Sequence, residues 1–296
     1  MLTRWGETLD KTNVLQEYPR PQLVRESYYN LNGLWDYAIT ASDACPGSWD
    51  GQILVPFSPE APLSGVNRSL RPEQVLWYRR TLPVLKSSGQ RTLLHFGAVD
   101  QRAAVYLNGL LAGTHTGGYT AFTIDITKLL RSGENTLTVA VHDDTDTVPL
   151  ARGKQKTKRG GIWYTPQSGI WQTVWLEQVP EQYIESVLFT PELPEGRIRW
   201  KLSAAAPQGA KLVISYQGKP SSCTCGRRRR RRFMTCPSRW ARIMCRAILP
   251  CAPSGPGRTR QDIRVCFSTA GRISTTACST RAIGRTGCIP RRRTKR

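Results

Sequence analysis

Cysteine is almost missing up to Pro220, where Cys45 stands alone. A chain segment of that size with one thiol relies on no disulfides and suits a reducing compartment, so a cytoplasmic location is expected. No run of about 18 apolar residues occurs, which argues against a membrane-spanning helix and a membrane partner. The opening MLTRWGETLD carries acids and no apolar stretch, so it does not read as a signal peptide. The stretch 221–296 contains no Glu, Asn or Tyr and a single Leu, Leu249. Large aliphatics are too few there to bury a core, and 221–296 is expected to be disordered. A long hydrophobic period of 3.6 is absent throughout, and without crossover helices a parallel α/β fold is excluded.

What is present divides at Pro220. The formal net charge of the 296 residues is +22. Residues 221–296 hold 19 Arg and Lys295 against one acid, Asp262, a net of +19; residues 1–220 hold 23 bases and 20 acids, a net of +3. Eight of the nine Cys also follow residue 220. Three readings of this tail compete. Arg227–Arg232 puts six guanidiniums in a row, which would bind nucleic-acid phosphate. Cys223 and Cys225 with later Cys invite a zinc site, but the C-x-C spacing, irregular intervals and missing His disfavour it. The third reading is a shifted frame in a GC-rich gene, rich in Arg, Pro, Ala, Gly, Ser, Thr and Cys codons. The composition favours this last reading, so no specific nucleic-acid partner is expected.

Up to Pro220 the hydrophobic period is close to two. Leu137, Val139 and Val141 share one face of a strand over 136–142, and Phe122, Ile124 and Ile126 one face over 120–126. Ala103, Val105 and Leu107 alternate with Ala104 and Tyr106 and run into Asn108-Gly109, a dipeptide suited to a two-residue hairpin because both positions accept positive φ. Segments 91–96 and 172–177 are further strands, and a short helical turn is expected at 128–130 with Thr127 as its cap. Many short strands punctuated by Gly, Pro and Asn predict an all-β jelly-roll sandwich. Past Tyr183 three more strands follow, at 184–189, around Ile198, Trp200 and Leu202, and around Leu212, Ile214 and Tyr216. These are fewer than the seven or so of an immunoglobulin-like sandwich.

Several motifs then resemble glycoside hydrolase family 2, the β-galactosidase, β-glucuronidase and β-mannosidase group. They are Tyr18–Arg25 with Leu31–Asp36, Ile53–Phe57 with Leu63–Val66, Trp77–Arg80, His95–Asp100, Val105–Gly109, Gly117–Phe122, Arg152–Gln155, and Gly161–Pro166 with Ser168–Glu177. They stand in family order from Tyr18 to Glu177. The resemblance implies a jelly-roll, galactose-binding-like domain over 1–180, an incomplete immunoglobulin-like sandwich over 181–220, and a carbohydrate partner. Nothing after Pro220 resembles the family. Its catalytic domain is a TIM barrel with two glutamates, one following an Asn; a barrel takes roughly 200 residues at minimum, and a retaining pair must stand about 5 Å apart. No Asn-Glu pair occurs in the chain, and no Glu occurs after Glu195. A family 2 fragment without glycosidase activity, cofactor or metal is expected, with no catalytic residue to name. A stand-alone carbohydrate-binding module is the alternative, and a nucleic-acid binder acting through the tail is a further one.

Trp163, Tyr164, Gln172, Arg152 and Gln155 are the candidate sugar contacts. Aromatic faces stack on pyranose rings, and amide and guanidinium groups bond the hydroxyls. In relatives, residues near the Gly161–Pro166 motif reach the barrel's active site, and some galactosidases carry an acid at the position of Thr173. Core packing competes for the aromatics, and alternation puts Trp171 and Trp175 on one buried face. The loop with Arg152, Lys154, Lys156, Lys158 and Arg159 reads as a solvated basic loop in the absence of a barrel. His142, Asp143, Asp144 and Asp146 read as solvated turn residues rather than metal ligands. His95 and His115 have no identifiable nucleophile partner.

Overall fold

The computed structural model describes residues 2–20, 23, 25, 27–83, 90–192 and 197–205. It adds strand backbone at 211–216, 219–224, 232–235, 243–248 and 260–265; at 191–192, 197–200 and in those five strands only the backbone is described. Twelve strands come first: β1 (Tyr28–Asn30), β2 (Gly33–Thr40), β3 (Gly51–Val55), β4 (Val75–Thr81), β5 (Arg91–Phe96), β6 (Val99–Asp100), β7 (Arg102–Leu107), β8 (Leu110–Thr116), β9 (Phe122–Asp125), β10 (Thr136–His142), β11 (Gly169–Ile170) and β12 (Val174–Val179). A six-stranded sheet of order β3-β2-β4-β10-β7-β8 and a four-stranded sheet of order β1-β12-β5-β9 carry ten of them; β11 and β6 pair separately.

One core fills the space between the two large sheets. Trp35, Ile53, Leu76, Tyr78, Val105, Leu107, Leu137, Val139 and Val141 enter it from one sheet, and Leu94, Phe96, Val174 and Leu176 from the other. Period-two alternation delivers these residues, so the expected inward sets on β7 and β10 hold. Asn108 and Gly109 take φ of 53° and 80° and close the β7–β8 hairpin, with Leu107 opposite Leu110.

Two local expectations need correction. The helical turn runs over Thr127–Leu129, and Thr127 does not cap it; Asp125 accepts the Thr127 amide, and the Thr127 hydroxyl accepts from the amide of Thr92. Trp175 is buried, but not between the sheets. Val174 and Leu176 take the inward positions of β12, so Trp175 and Glu177 face outward. There the segment around Tyr18, Arg20 and Arg25 covers them. Trp171 precedes the strand and is only half-buried.

Strands β13 (Ile184–Glu192) and β14 (Arg197–Ala204) pair antiparallel, as does β15 (Lys211–Tyr216) with β16 (Lys219–Thr224). Within 221–296, the stretch expected to be disordered, the structure describes only the end of β16, then β17 (Arg232–Thr235) against β14, β18 (Ile243–Ile248) against β15, and β19 (Arg260–Val265) against β18. The remaining residues of that stretch, including the Arg run before Arg232 and all Cys beyond Cys245, lie outside the described residues. No helix among the described residues is long and apolar enough to cross a membrane.

Candidate functional site

The chain between β10 and β11 folds into a pinned loop. At its start Asp146 accepts from the backbone amide and the hydroxyl of Thr157 at 3.1 and 2.8 Å. Gln155 holds its middle, with Oε1 accepting the Gln167 amide at 2.6 Å and Nε2 donating to the Tyr119 hydroxyl at 3.1 Å. The Tyr164 amide donates to the Lys154 carbonyl, and the Lys156 amide to that of Tyr164. Gly160 and Trp163 exchange two backbone bonds across a tight turn in which Gly161 takes φ of 60°. Arg159 donates to the Thr165 hydroxyl.

This scaffold presents aromatic surface. Tyr164 is 65% and Ile162 64% exposed, although both are large and apolar. Trp163 is half-buried, with the Lys156 ammonium 4.1 Å from its ring centre. Tyr119 stands edge-on to Trp171 at 5.9 Å, and the Trp171 indole donates to the Gly118 carbonyl.

Beside the loop lie two buried acids, Asp100 and Asp143, and the half-buried Glu60. Glu60 accepts from the amide and hydroxyl of Ser168 and from the amide of Leu70, which fixes the turn into β11. Asp143 accepts the Thr145 amide at 2.7 Å. Asp100 packs against Gly118, where a Cβ would overlap its carboxylate, and its Oδ1 has no hydrogen-bond partner. Burial raises all three acids, in Glu60 against the hydrogen bonds from Ser168 and Leu70; Asp100 is pushed up to about 7 by burial, Asp143 and Glu60, and Asp143 to about 6 by burial, Glu60 and Asp144. Burial, the Asp100 charge and Asp143 also raise Tyr119, against the bond from Gln155.

The structure thus brings Gln155, Trp163 and Tyr164 together on one loop. Arg152 lies on the same loop, with its Nε buried and without a partner. Gln172 stands apart: it is exposed, sits beyond Trp171 against Gly97, and its side chain makes no hydrogen bond among the described residues. Tyr119 was absent from the sequence candidates; the Gly117-Gly118-Tyr119 motif was the available signal. Asp143 departs from its expectation as a solvated turn residue, being 4% exposed. Of its neighbours, Asp144 forms an ion pair with Arg102 and His142 Nε2 lies against the Asp43 carboxylate, each at 2.8 Å. No group of three or more His, Cys, Asp or Glu is arranged to hold a metal among the described residues. His115 stacks on Phe122 and bonds Gly117 and Thr120, while His95 is buried beside Glu177.

Residues 62–172 match the family described as glycosyl hydrolase 2 galactose-binding domain-like. A β-galactosidase of Thermoanaerobacter pseudethanolicus is 33% identical over 117 residues, which is 39% of this chain and 15% of that protein. A β-glucuronidase of Paenibacillus borealis is 24% identical over 230 residues, covering 69% of this chain and 38% of that protein. Among solved structures, the β-glucuronidase of Faecalibacterium prausnitzii superposes with a TM-score of 0.57 at 22% identity, over 83% of this chain and 47% of that one. The β-glucuronidase of Bifidobacterium dentium gives 0.58 at 22% identity, over 82% and 49%. The chain therefore spans well under two thirds of these relatives. The matched segment contains the β4–β10 core and runs through the pinned loop to Gln172, so over 62–172 the chain is similar to the galactose-binding-like domain of glycosyl hydrolase 2 proteins.

Proposed function

We propose that residues 1–180 act as the non-catalytic carbohydrate-binding domain of a family 2 glycoside hydrolase, and that this chain binds a β-glycoside without cleaving it. Tyr164, Trp163 and Tyr119 offer the sugar its apolar contact, and Gln155 and Arg152 offer hydrogen bonds. The observation that carries this reading is the exposure of Tyr164 at 65% on a loop held by its own hydrogen bonds, so that the ring is presented before any ligand arrives. The relatives' names, β-glucuronidase and β-galactosidase, support a β-glycoside as the ligand class. Hydrolysis would need two carboxylates about 5 Å apart on either side of the scissile bond, and the family's Asn-Glu pair is absent from these residues. A cytoplasmic location belongs to the same reading, on the strength of Cys45 standing alone before residue 220.

Calorimetry of the full chain with nitrophenyl β-glucuronide and β-galactoside, followed by a turnover assay, tests both halves. Binding that Tyr164→Ala and Trp163→Ala abolish, without release of nitrophenol, is expected. Absence of heat at millimolar glycoside overturns the binding claim, and turnover above background overturns the claim of inactivity. Gln172→Ala is expected to leave binding unchanged, since that side chain stands away from the loop.

Residues 221–296 fit an out-of-frame extension of the second sandwich. The composition supports this, because 19 Arg and eight Cys accompany the loss of Glu, Asn and Tyr at one boundary. Translation of the other frames past codon 220 should yield further alternating strands and then a barrel with its two glutamates. If no frame does so, the tail is a genuine segment. In that case its DNA affinity should be tested against a chain lacking it.

A further inference from the structure

The pinned loop carries a second feature that neutral sugars do not use. Arg152, Lys154, Lys156, Lys158 and Arg159 place five cations in eight residues, and no acid occurs between Asp146 and Glu177. None of the five stands within 4 Å of a carboxylate among the described residues, although Lys156 is near enough to Asp146 to help lower it; Asp144 is paired with Arg102 instead. Gln155 turns toward Gln167 and Tyr119, and Thr157 turns toward Asp146. Lys154, Lys158 and Arg159 are exposed, and Lys156 lies over Trp163. Arg152 adds a guanidinium whose Nε is buried without a partner, a polar group still lacking an acceptor.

Like charges held this close on a fixed arc repel one another, and an anion seated among them relieves that repulsion. The arc borders the exposed faces of Tyr164 and Trp163, where the ring of a sugar would rest. Building on the carbohydrate-binding reading above, we propose that this site selects anionic glycans: the aromatic residues take the pyranose ring, and Arg152, Lys154, Lys156, Lys158 and Arg159 take its carboxylate or sulfate groups. A planar guanidinium such as that of Arg152 accommodates either anion through paired N–H donors.

The test measures affinity of the full chain for three oligosaccharides of equal length, one neutral, one containing uronic acid and one sulfated. It is repeated on a chain carrying Arg152→Gln, Lys154→Gln, Lys156→Gln, Lys158→Gln and Arg159→Gln. Both proteins keep the same basic tail, so the difference between them reports the loop alone. On the order of tenfold tighter binding of an anionic ligand is expected in the unaltered chain, falling with salt, and reduced to the neutral value in the variant. Of the two anionic arms, the one lost in the variant names the preferred group. Lys158→Gln with Arg159→Gln alone, at two exposed positions, should give an intermediate loss and guards against a folding defect in the larger variant. An anionic preference that survives all five substitutions overturns the proposal, because the tail then carries it. Equal affinity for neutral and anionic sugars overturns it while leaving the carbohydrate reading in place. Binding of duplex DNA that matches the anionic glycan and falls equally in the variant also overturns it, since the arc is then a general polyanion surface. Failure of all three sugars to bind overturns both readings together.

Discussion

Two buried acidic sites in the same sandwich behave in opposite ways. Glu177, on the outer face of β12, is fully buried, and its carboxylate is compensated: Tyr18 donates at 2.6 Å, the Trp175 indole at 3.0 Å and the Arg25 guanidinium at 2.8 Å. Burial pushes it upward, but His95, Arg25 and Arg20 outweigh that and hold it at about 2. Asp100 and Asp143 are buried, Glu60 is half-buried, none of the three is in an ion pair among the described residues, and burial raises all three. Burial alone therefore does not set the sign of a shift; what is packed against the group does. The cations at Glu177 arrive from the segment before β1, more than 150 positions away in sequence. That segment also reaches the start of β13. Arg25 donates to the Ile184 carbonyl at 2.5 Å and Arg20 to that of Glu185 at 3.3 Å. One stretch of chain thus neutralises a buried acid and grips the first residues of β13.

The largest effect expected from this contrast is at Glu177. Glu177→Gln leaves the Arg25 side chain, 4% exposed, without its counter-charge, and breaking one partner of such a pair costs about 3–5 kcal/mol. Urea unfolding at pH 7 checks this, and a loss under about 1 kcal/mol would erase the distinction between the two sites.

Asp100→Asn should act in the other direction. The folded acid titrates near 7 against 3.8 for an unburied one. Its stability contribution is present below pH 3.8 and is lost as pH rises through about 7, because the folded state resists ionisation there. The amide should therefore raise stability at pH 8 by on the order of a few kcal/mol and leave it unchanged near pH 4. Equal stabilisation at both pH values would break this account.

The pH profile of the unaltered chain follows from both sites. Glu177 contributes stability above pH 4.5 that is lost as pH falls through about 2. His95 is lowered from 6.5 to about 3, by burial first and then by Arg20 and Arg25. Only the unfolded state takes up its proton below pH 6.5, so this group also weakens the fold toward acid. With the Asp100 cluster weakening the fold toward alkali, the denaturation midpoint should pass through a maximum in mildly acidic solution. A midpoint that keeps rising to pH 8 would contradict this.

The smallest effect is at Tyr18. Tyr18→Phe keeps the edge-on contact with Tyr28 at 5.2 Å and removes one hydrogen bond to Glu177, for a cost of about 1–2 kcal/mol. Combined with Glu177→Gln, the two losses should sum to more than the double variant shows, since both act through one carboxylate.

Much of the sandwich was legible in advance. Strands β5, β7 and β10, their inward residues and the Asn108-Gly109 hairpin follow from alternation and turn chemistry, which are local and leave marks a few residues long. The strand expected at 172–177 lies at Val174–Val179, because backbone pairing with β5 sets its register and no residue near it announces that. At the candidate site, residue types and motif point to Gln155, Trp163, Tyr164 and Arg152, which share one loop in the structure. They do not point to Tyr119, because its partner Gln155 lies 36 positions later and only folding joins them. Gln172 carried the right chemistry in a motif that continues past the loop, and its place beyond Trp171 is a matter of three dimensions.

The all-β class, the resemblance over 62–172, the division of charge at Pro220 and the basic loop could all be read from the sequence, because each is written in composition or short-range pattern. Only the tertiary structure decided which acids share a buried site, which of them meets an arginine, and which face of β12 carries Trp175. Those outcomes depend on contacts between residues far apart in the chain. The energy of a buried charge depends on its nearest neighbours in space, and for Glu177 two of these, Tyr18 and Arg25, come from more than 150 positions away.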